Sequence, residues 1–301
     1  TVPMDFNAAC DGSTTEAEIA DLTATPCQTA INQAAAVQVN GRRPLVHLQA
    51  GRYYIINAIT LEASQKMTGD GRGTSLIRIR DTFNGTAIGI IVLGNQNLFD
   101  GVGETIEDIG IVFDQPLDQS SRAAFALLGT CTSDSGGTGC KYPPAIIMTG
   151  APGGRINIKN TRIERAWDGI VGDNVASINT PNGNGNQLFQ IYNLEMSALH
   201  RGLWADGIKD QSMISGFHFW NFGIGAANNL YDVMTDGSTD CMNLGELDGS
   251  LFVNVFCHRS GIRTIAPLTY STTADIASNK TLENLGSITG LGLGRTYNIT
   301  G

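Results

Sequence analysis

Charged residues are scarce in this chain, and basic residues are the scarcer kind. Asp and Glu together number 28 against 19 for Lys and Arg, which gives a formal net charge of −9. A nucleic acid or an anionic membrane binds through clustered Lys and Arg side chains, so the composition argues against both partners. Neutral or cationic ligands fit this charge best, although a local Arg patch could still receive an acidic sugar.

Long apolar runs are absent as well. The longest, around residues 88–93, is far shorter than the roughly 20 residues of a membrane-spanning helix. The sequence contains no G-x-S-x-G elbow and no phosphate-binding P-loop, and it has no C-x-x-C metal spacing. We therefore predict no membrane insertion, no bound metal and no cofactor.

Cysteines are few and fall into three near pairs. They are Cys131–Cys140, Cys10–Cys27 and Cys241–Cys257. Each pair would close a local loop, and the first brackets a flexible polar segment that gains most from a covalent link. Either these pairs form disulfides, or the cysteines are reduced thiols buried as small apolar groups.

Glycine, in contrast, is abundant, with 37 residues. Four glycines that precede an aliphatic residue each close a short stretch of alternating apolar residues: Gly169-Ile170, Gly202-Leu203, Gly223-Ile224 and Gly261-Ile262. Their irregular spacing suits a coil of short strands joined by loops of different length. We predict an all-β fold, a right-handed parallel β-helix (a solenoid).

The first two of these pairs define a register. Ile158 and Asn160 precede Ile191 and Asn193 by 33 positions, and the Gly-Ile pair at 169 precedes the Gly-Leu pair at 202 by the same interval. Residues in register stack about 4.8 Å apart on neighbouring turns of such a coil. The predicted corner stack is Gly169, Gly202 and Gly223, and the predicted buried column is Ile170, Leu203 and Ile224.

The pattern along the chain predicts three regions. Residues 1–75 form an N-terminal cap, with a helix at about 26–38 followed by the first strands, because TPCQTAINQAAAVQV has a Thr-Pro start and apolar residues at helical spacing. Residues 76–266 form the parallel β-helix. Residues 267–301 lose the rhythm and are predicted to be a C-terminal cap or an oligomerisation segment.

Four segments near the start carry a family resemblance: DFNAACDGSTT, TPCQTAINQAAA, PLVHLQAGRYYI and KMTGDGRGTSLIRI. They resemble the opening of the pectate-lyase-like β-helix family, which is found in phage tailspikes and in some secreted polysaccharide-degrading enzymes. The resemblance covers about the first 80 residues. It implies a right-handed β-helix with an N-terminal capping helix, a homotrimer, and an extracellular location in a virion tail spike or as a secreted protein.

The chain also departs from that family. Ala9-Cys10-Asp11-Gly12 replaces the usual Gly-Asp-Gly, and the acidic pair before the helix is missing. The catalytic motifs of polygalacturonases and pectate lyases are absent. The resemblance therefore implies a fold and a polysaccharide partner, such as a capsule, an O-antigen or an exopolysaccharide, without assigning catalytic residues.

Asp173 and Asp206 share the 33-residue offset, so we predict that they stand one above the other. Two carboxylates one strand spacing apart do not ionise together, which yields an acid and a base with different pKa values. Glycoside cleavage needs such a pair, about 5 Å apart for retention and about 6.5–9.5 Å for inversion, and Asp210 could supply the wider separation. The alternative is that these aspartates cap Gly-rich turns.

A second set of catalytic candidates precedes the corner glycines. It consists of Glu164 and, on the next turn, Glu195, with Arg162 and Arg165 nearby. The alternative for these glutamates is exposed ion pairing, which contributes little to stability.

Aromatic and basic residues cluster on the same turns. Trp204, predicted to lie in a loop two residues before Asp206, is a candidate for stacking on a sugar ring. The other substrate-binding candidates are Trp167, His200, Arg201 and Tyr192. The alternative is core filling, and for half of the rings in the run FHFWNF at residues 217–222 we predict packing in the core or in a trimer interface.

Three functions follow from these observations. The first is a tailspike-like protein that binds a bacterial surface polysaccharide and depolymerises it by acid-base glycoside hydrolysis. The second is an adhesin or virion-structural β-helix that binds glycans without cleaving them. The third is a secreted polysaccharide lyase, in which Arg or Lys acts beside a neutralised uronate.

Overall fold

The structure of the protein, a computed structural model, consists mostly of strands. It describes residues 26–38, 43, 45–62, 64–79, 89–94, 103–113, 143–149, 156–172, 186–187, 190–209, 212–221, 240–248, 251–258, 261–264, 275–276 and 282–283. Within these ranges there is one helix, α1 (Pro26–Ala36). None of the described residues forms a helix long and apolar enough to cross a membrane.

The strands are short except where one strand bends through a corner. They are β1 (Val46–Leu48), β2 (Gly51–Ile55), β3 (Ile59–Leu61), β4 (Lys66–Gly69), β5 (Ser75–Ile79), β6 (Ile91–Gly94), β7 (Thr105–Glu107), β8 (Gly110–Phe113), β9 (Ile146–Thr149), β10 (Asn157–Lys159), β11 (Arg162–Gly172), β12 (Asn186–Gln187), β13 (Gln190–Lys209), β14 (Met213–Asn221), β15 (Asp240–Asp248), β16 (Leu251–Val253), β17 (Phe256–His258), β18 (Gly261–Thr264), β19 (Asp275–Ile276) and β20 (Leu282–Glu283).

Strands β1–β11 and β13–β18 pair in three parallel ladders. Ladder A joins β1, β4, β7 and β10 to the first residues of β13 and β14, and then to β16. Ladder B joins β2, β5 and β8 to the start of β11, the middle of β13, the end of β14, and β17. Ladder C joins β3, β6 and β9 to the ends of β11 and β13, and then to β15 and β18.

The chain visits ladders A, B and C in that order and then repeats. We call each passage a rung: rung 1 is β1–β3, rung 2 is β4–β6, rung 3 is β7–β9, rung 4 is β10–β11, rung 5 is β13, rung 6 is β14–β15 and rung 7 is β16–β18. Each strand pairs with its counterparts on the neighbouring rungs, which is consistent with the predicted parallel β-helix.

The predicted 33-residue register between rungs 4 and 5 is confirmed. Ile158 pairs with Ile191 in ladder A, and Ile170 pairs with Leu203 in ladder C. Ile170 and Leu203 are completely buried, as the pattern of apolar residues predicted.

The extension of that register to Gly223 and Ile224 is wrong. On its other side Leu203 pairs with Met242, and Met242 pairs with Ile262. The cause is an insertion, because residues 222–239 separate the ladder B and ladder C strands of rung 6. Gly223 and Ile224 fall in this insertion, outside the described residues, so the 21-residue spacing was not the length of a rung.

The interior is filled by columns of apolar, mostly aliphatic, side chains from all three ladders, and the column that passes through Ile170 and Leu203 is named the ladder C column. All described side chains of the ladder C column have no solvent exposure; it contains Ile59, Ile91, Ile146, Ile170, Leu203 and Met242. Helix α1 packs against β1, β2 and β3 and adds Ile31 and Ala35 to the same core. Its Gln28 accepts hydrogen bonds from the backbone N–H groups of Ile56 and Asn57.

The corner from ladder A to ladder B is the same tight turn on rungs 3 to 7. One residue per rung adopts a left-handed backbone there: Asp108, Asn160, Asn193, Gly216 and Asn254, with φ of 58°, 46°, 53°, 68° and 53°. Asn, Asp and Gly tolerate this conformation best. The amide of Asn193 also donates a 2.9 Å hydrogen bond to the side-chain oxygen of Asn160, so the corner residues of rungs 4 and 5 are bonded to each other.

The corner from ladder B to ladder C requires glycine for a steric reason. A Cβ atom on Gly169 would lie 2.3 Å from Sδ of Met196, and one on Gly202 would lie 2.7 Å from the Phe219 ring and 2.5 Å from the Cys241 carbonyl oxygen. The corner residue of one rung therefore points at the ladder B side chain of the next rung. Only glycine fits beside a methionine or a phenylalanine.

Between rungs 6 and 7, two cysteines occupy the positions that hold a corner glycine and a ladder B side chain on the earlier rungs. Cys241 follows Gly202 at the corner position, and Cys257 is the ladder B residue of the next rung. The two form a disulfide with Cα atoms 5.8 Å apart, one of the pairs expected from the sequence. Cys27 is also disulfide-bonded. The cysteines outside the described residues are Cys10, Cys131 and Cys140.

The chain divides into two compact units, Thr1–Ile265 and Ala266–Gly301. All three ladders lie in the first unit, and strands on both sides of residue 75 belong to the same ladders. In the second unit, β19 and β20 form an antiparallel pair. Its assignment as a cap or an oligomerisation segment stays a prediction.

Gly202→Ala tests the steric reading of the corner. We expect a loss of about 1–3 kcal/mol in the free energy of unfolding, because the new methyl group must displace Phe219 or the Cys241 carbonyl. Gly73→Ala is the matched control, since a Cβ atom there would meet nothing within 4 Å. Urea denaturation measures both variants, and equal stability of the two would contradict the packing argument.

Replacing both Cys241 and Cys257 with alanine tests the covalent link between rungs 6 and 7. The disulfide spans 16 residues, and a loop of that size corresponds to about 3 kcal/mol of stabilisation. We expect the free energy of unfolding to fall by about that amount in non-reducing urea titrations. A double variant as stable as the parent protein would show that packing alone holds the last rung in place.

Candidate functional site

The acid-base hypothesis depends on Asp206 and on its possible partners Asp173 and Asp210, which in the sequence lie in or directly after the ladder C ends of β11 and β13. Gly172 pairs with Ala205, so the residues that directly precede Asp173 and Asp206 are neighbours in the sheet. Asp206 lies within β13, and its side chain is not among those described. Asp173 and Asp210 lie outside the described residues.

Trp204 lies in strand β13 rather than in the predicted loop, and its side chain is only 6% exposed. It packs with Val92, Ile147 and Val171 in a small apolar cluster that is separate from the main core. These residues alternate with the inward column of ladder C, so the cluster lies on the outer side of the sheet. The prediction of an open indole platform at Trp204 is therefore wrong.

Arg201 and Asp168 form a buried ion pair next to this cluster. Nε of Arg201 lies 3.3 Å from Oδ1 of Asp168, and the two side chains are 5% and 1% exposed. The guanidinium carbon of Arg201 lies 3.3 Å from the centroid of the Trp204 ring, so the cation covers one face of the indole. Arg201, a predicted substrate-binding residue, is thus engaged within the protein itself.

The other predicted binding residues are dispersed. Trp167 is also only 6% exposed. Tyr192 is half-buried on the outer side of ladder A, where its hydroxyl donates a 2.8 Å hydrogen bond to Gln190 and its ring lies 5.9 Å from Nζ of Lys159. His200 lies in β13, and its side chain is not described.

Glu164 and Glu195 lie on the outer side of ladder B, where both contact the same arginine. Oε2 of Glu195 lies 3.8 Å from Nε of Arg162, and Glu164 is ion-paired with the same guanidinium. Arg72, from the corner of rung 2, lies 2.7 Å from Oε1 of Glu195 and also donates to the Asn193 side chain. These glutamates are one-fifth to one-third exposed, and the arginines hold both carboxylates in place on the outer side of the ladder.

Three aromatic rings that were not among the predicted binding residues lie on the same outer side of ladder B, on rungs 6 and 7. His218 and Trp220 lie 5.1 Å apart, and His218 meets Phe256 edge-on at 5.7 Å. Phe256 is 58% exposed, whereas Phe217 and Phe219 of the same aromatic run are fully buried. Strict alternation along residues 217–220 is the signal that separates the inward rings from the outward ones.

Among the described residues, no group of three or more His, Cys, Asp or Glu side chains is arranged to hold a metal ion. The chain matches no protein-family model, no curated protein and no solved structure. The resemblance to pectate-lyase-like β-helices therefore stays a prediction from the sequence, and function has to be argued from these surfaces.

Asp168→Asn tests the buried ion pair. Removing the carboxylate leaves the Arg201 charge inside the protein, and loss of one partner of a buried pair costs about 3–5 kcal/mol in the free energy of unfolding. Glu195→Gln is the control, because Glu195 and Arg72 are each about one-third exposed, so water can solvate the remaining charge and we expect a smaller loss, about 1 kcal/mol. Chemical denaturation of both variants measures the difference, and similar losses would contradict the assigned burial.

Proposed function

We propose that this chain is a right-handed parallel β-helix that binds a bacterial surface polysaccharide and depolymerises it by acid-base glycoside hydrolysis. Asp206 is the central catalytic residue of the proposal, with Asp173 or Asp210 as its partner. The polysaccharide is a capsule, an O-antigen or an exopolysaccharide. In line with the family resemblance, the protein acts outside the cell, in a virion tail spike or as a secreted protein, and assembles as a homotrimer.

The observation that carries this proposal is the pairing of Gly172 with Ala205. It extends the 33-residue register to the residues that directly precede Asp173 and Asp206. Carboxylates on adjacent rungs stand about 4.8 Å apart, and at that separation one of them retains a proton. The protonated carboxyl donates its proton to the glycosidic oxygen. At this short distance the ionised carboxylate attacks the anomeric carbon, and water deprotonated by the first carboxylate then releases the sugar; with Asp210 as the partner, the ionised carboxylate instead deprotonates the water that attacks the anomeric carbon directly.

Binding without cleavage is the second candidate function, and the outer side of ladder B favours it. Glu164 and Glu195, the two catalytic candidates whose side chains are described, are both ion-paired with arginines. The partly exposed rings of His218 and Trp220 and the exposed ring of Phe256 lie on the next two rungs. Such a surface can bind a glycan without any bond being broken, as an adhesin or a virion-structural protein would.

Asp206→Asn separates the two functions. Loss of one acid-base group lowers turnover by about 10² to 10⁴, so we expect cleavage of the polysaccharide to be abolished while glycan binding and the melting temperature are retained. Asp108→Asn is the matched control, because asparagine already occupies the equivalent corner position on rungs 4, 5 and 7. Reducing-end release measures hydrolysis on capsule, O-antigen and plant uronan substrates.

The same incubations also test the lyase alternative. An eliminating enzyme would produce unsaturated uronates, which absorb in the ultraviolet, whereas hydrolysis would not. A protein that binds a glycan and releases neither product would support the adhesin. An Asp206→Asn variant that cleaves normally would refute the assignment of the catalytic pair.

A further inference from the structure

A continuous column of polar and aromatic side chains runs along the outer side of ladder B. Arg162, Glu195, His218 and Phe256 occupy the same position on rungs 4, 5, 6 and 7. With about 4.8 Å between rungs, these four residues span about 14 Å. The column is therefore long enough to contact several units of an extended chain molecule.

One end of the column is aromatic. Phe256 is the most exposed of the large apolar side chains in the described part of the chain. His218 packs edge-on against it, and Trp220, partly exposed on the same strand as His218, lies at a tilt of 54° to the histidine ring. Rings fixed in this way offer apolar area at little cost in conformational entropy.

The other end is charged but balanced. Arg72 and Arg162 face Glu164 and Glu195, so the four formal charges cancel. Their N–H groups donate and their carboxylate oxygens accept, which matches hydroxyl groups, since each hydroxyl does both. The ion pairs also hold these side chains in place before any ligand arrives.

The geometry points to a binding site for a neutral oligosaccharide along this column, with a sugar ring on Phe256 and Trp220 and hydroxyl groups on Glu195 and Arg162. A neutral sugar is favoured because the local charges cancel and the whole chain carries −9, so an acidic glycan meets no excess of positive charge. This site rests on the proposed glycan-binding function. It lies on a different ladder from Asp206 and does not require cleavage.

Tryptophan fluorescence reports on this site selectively. The chain has three tryptophans, and Trp167 and Trp204 are both only 6% exposed, so a ligand changes the emission mainly through Trp220. The probes are a printed array of neutral and acidic bacterial surface glycans, followed by fluorescence titration with the oligosaccharides that bind. We expect neutral glycans to bind and to change the emission, and Trp220→Phe to remove that change.

Phe256→Ala is the decisive variant. Losing a phenyl ring that stacks on a sugar should weaken binding about tenfold or more. Leu251→Ala is the matched control, because Leu251 is similarly exposed at 54% but lies on ladder A. Melting temperatures of both variants should stay close to that of the parent protein, because neither side chain is buried.

Three results would overturn the inference: no neutral glycan binds, acidic glycans bind more tightly at low salt, or Phe256→Ala and Leu251→Ala bind alike. The catalytic proposal fails separately. If Asp206→Asn cleaves normally while Phe256→Ala loses binding, the ladder B site stands and the Asp206 assignment falls. If Asp206→Asn abolishes cleavage and Phe256→Ala leaves binding unchanged, the Asp206 assignment stands and the ladder B site is refuted.

Discussion

Parallel pairing between rungs is the constraint on which the rest of this structure depends. Because each strand bonds to its counterparts one rung away, a residue position is repeated about every 4.8 Å along the coil. Inside, the repeat produces the aliphatic columns. At the corners it aligns Asn160 with Asn193 and sets Gly202 against Phe219. Outside, it aligns Glu195 with His218 and so turns scattered residues into surfaces.

Local sequence patterns predicted that the fold consists mostly of β-strands, and they predicted helix α1 and the register of rungs 4 and 5. Hydrophobic periodicity and the placement of glycines encode these features directly. They failed at Ile224, since a pattern of glycines does not show that residues 222–239 interrupt rung 6. They also failed at Trp204. A strand with apolar residues on both sides is predicted to be buried, but the sequence does not show which residues pack on its outer side. At Trp204 these residues include Val92, which lies more than a hundred positions earlier in the chain.

Sequence analysis could not predict the contacts of the charged residues either, because these contacts join residues far apart in the chain. Glu195 meets Arg72 across 123 positions, and only the stacking of rungs brings the corner of rung 2 close to rung 5. The structure divides the acidic residues that were predicted as catalytic candidates into two sets. Glu164 and Glu195 on ladder B are ion-paired with arginines, while Asp206, the proposed catalytic residue, belongs to a ladder C strand segment. The proposed glycan-binding site and the proposed catalytic residue therefore lie on different ladders.

The uniform corner between ladders A and B has a consequence for how such a protein can diversify. Rungs 3 to 7 turn there through one left-handed residue, whereas residues 114–142 and 222–239 intervene after ladder B, and residues 173–185 follow ladder C. Insertions and deletions at those two edges leave the hydrogen-bonded repeat unchanged. Segments of different length and sequence can therefore be exchanged along two edges of the scaffold, while the third edge keeps the rungs in register.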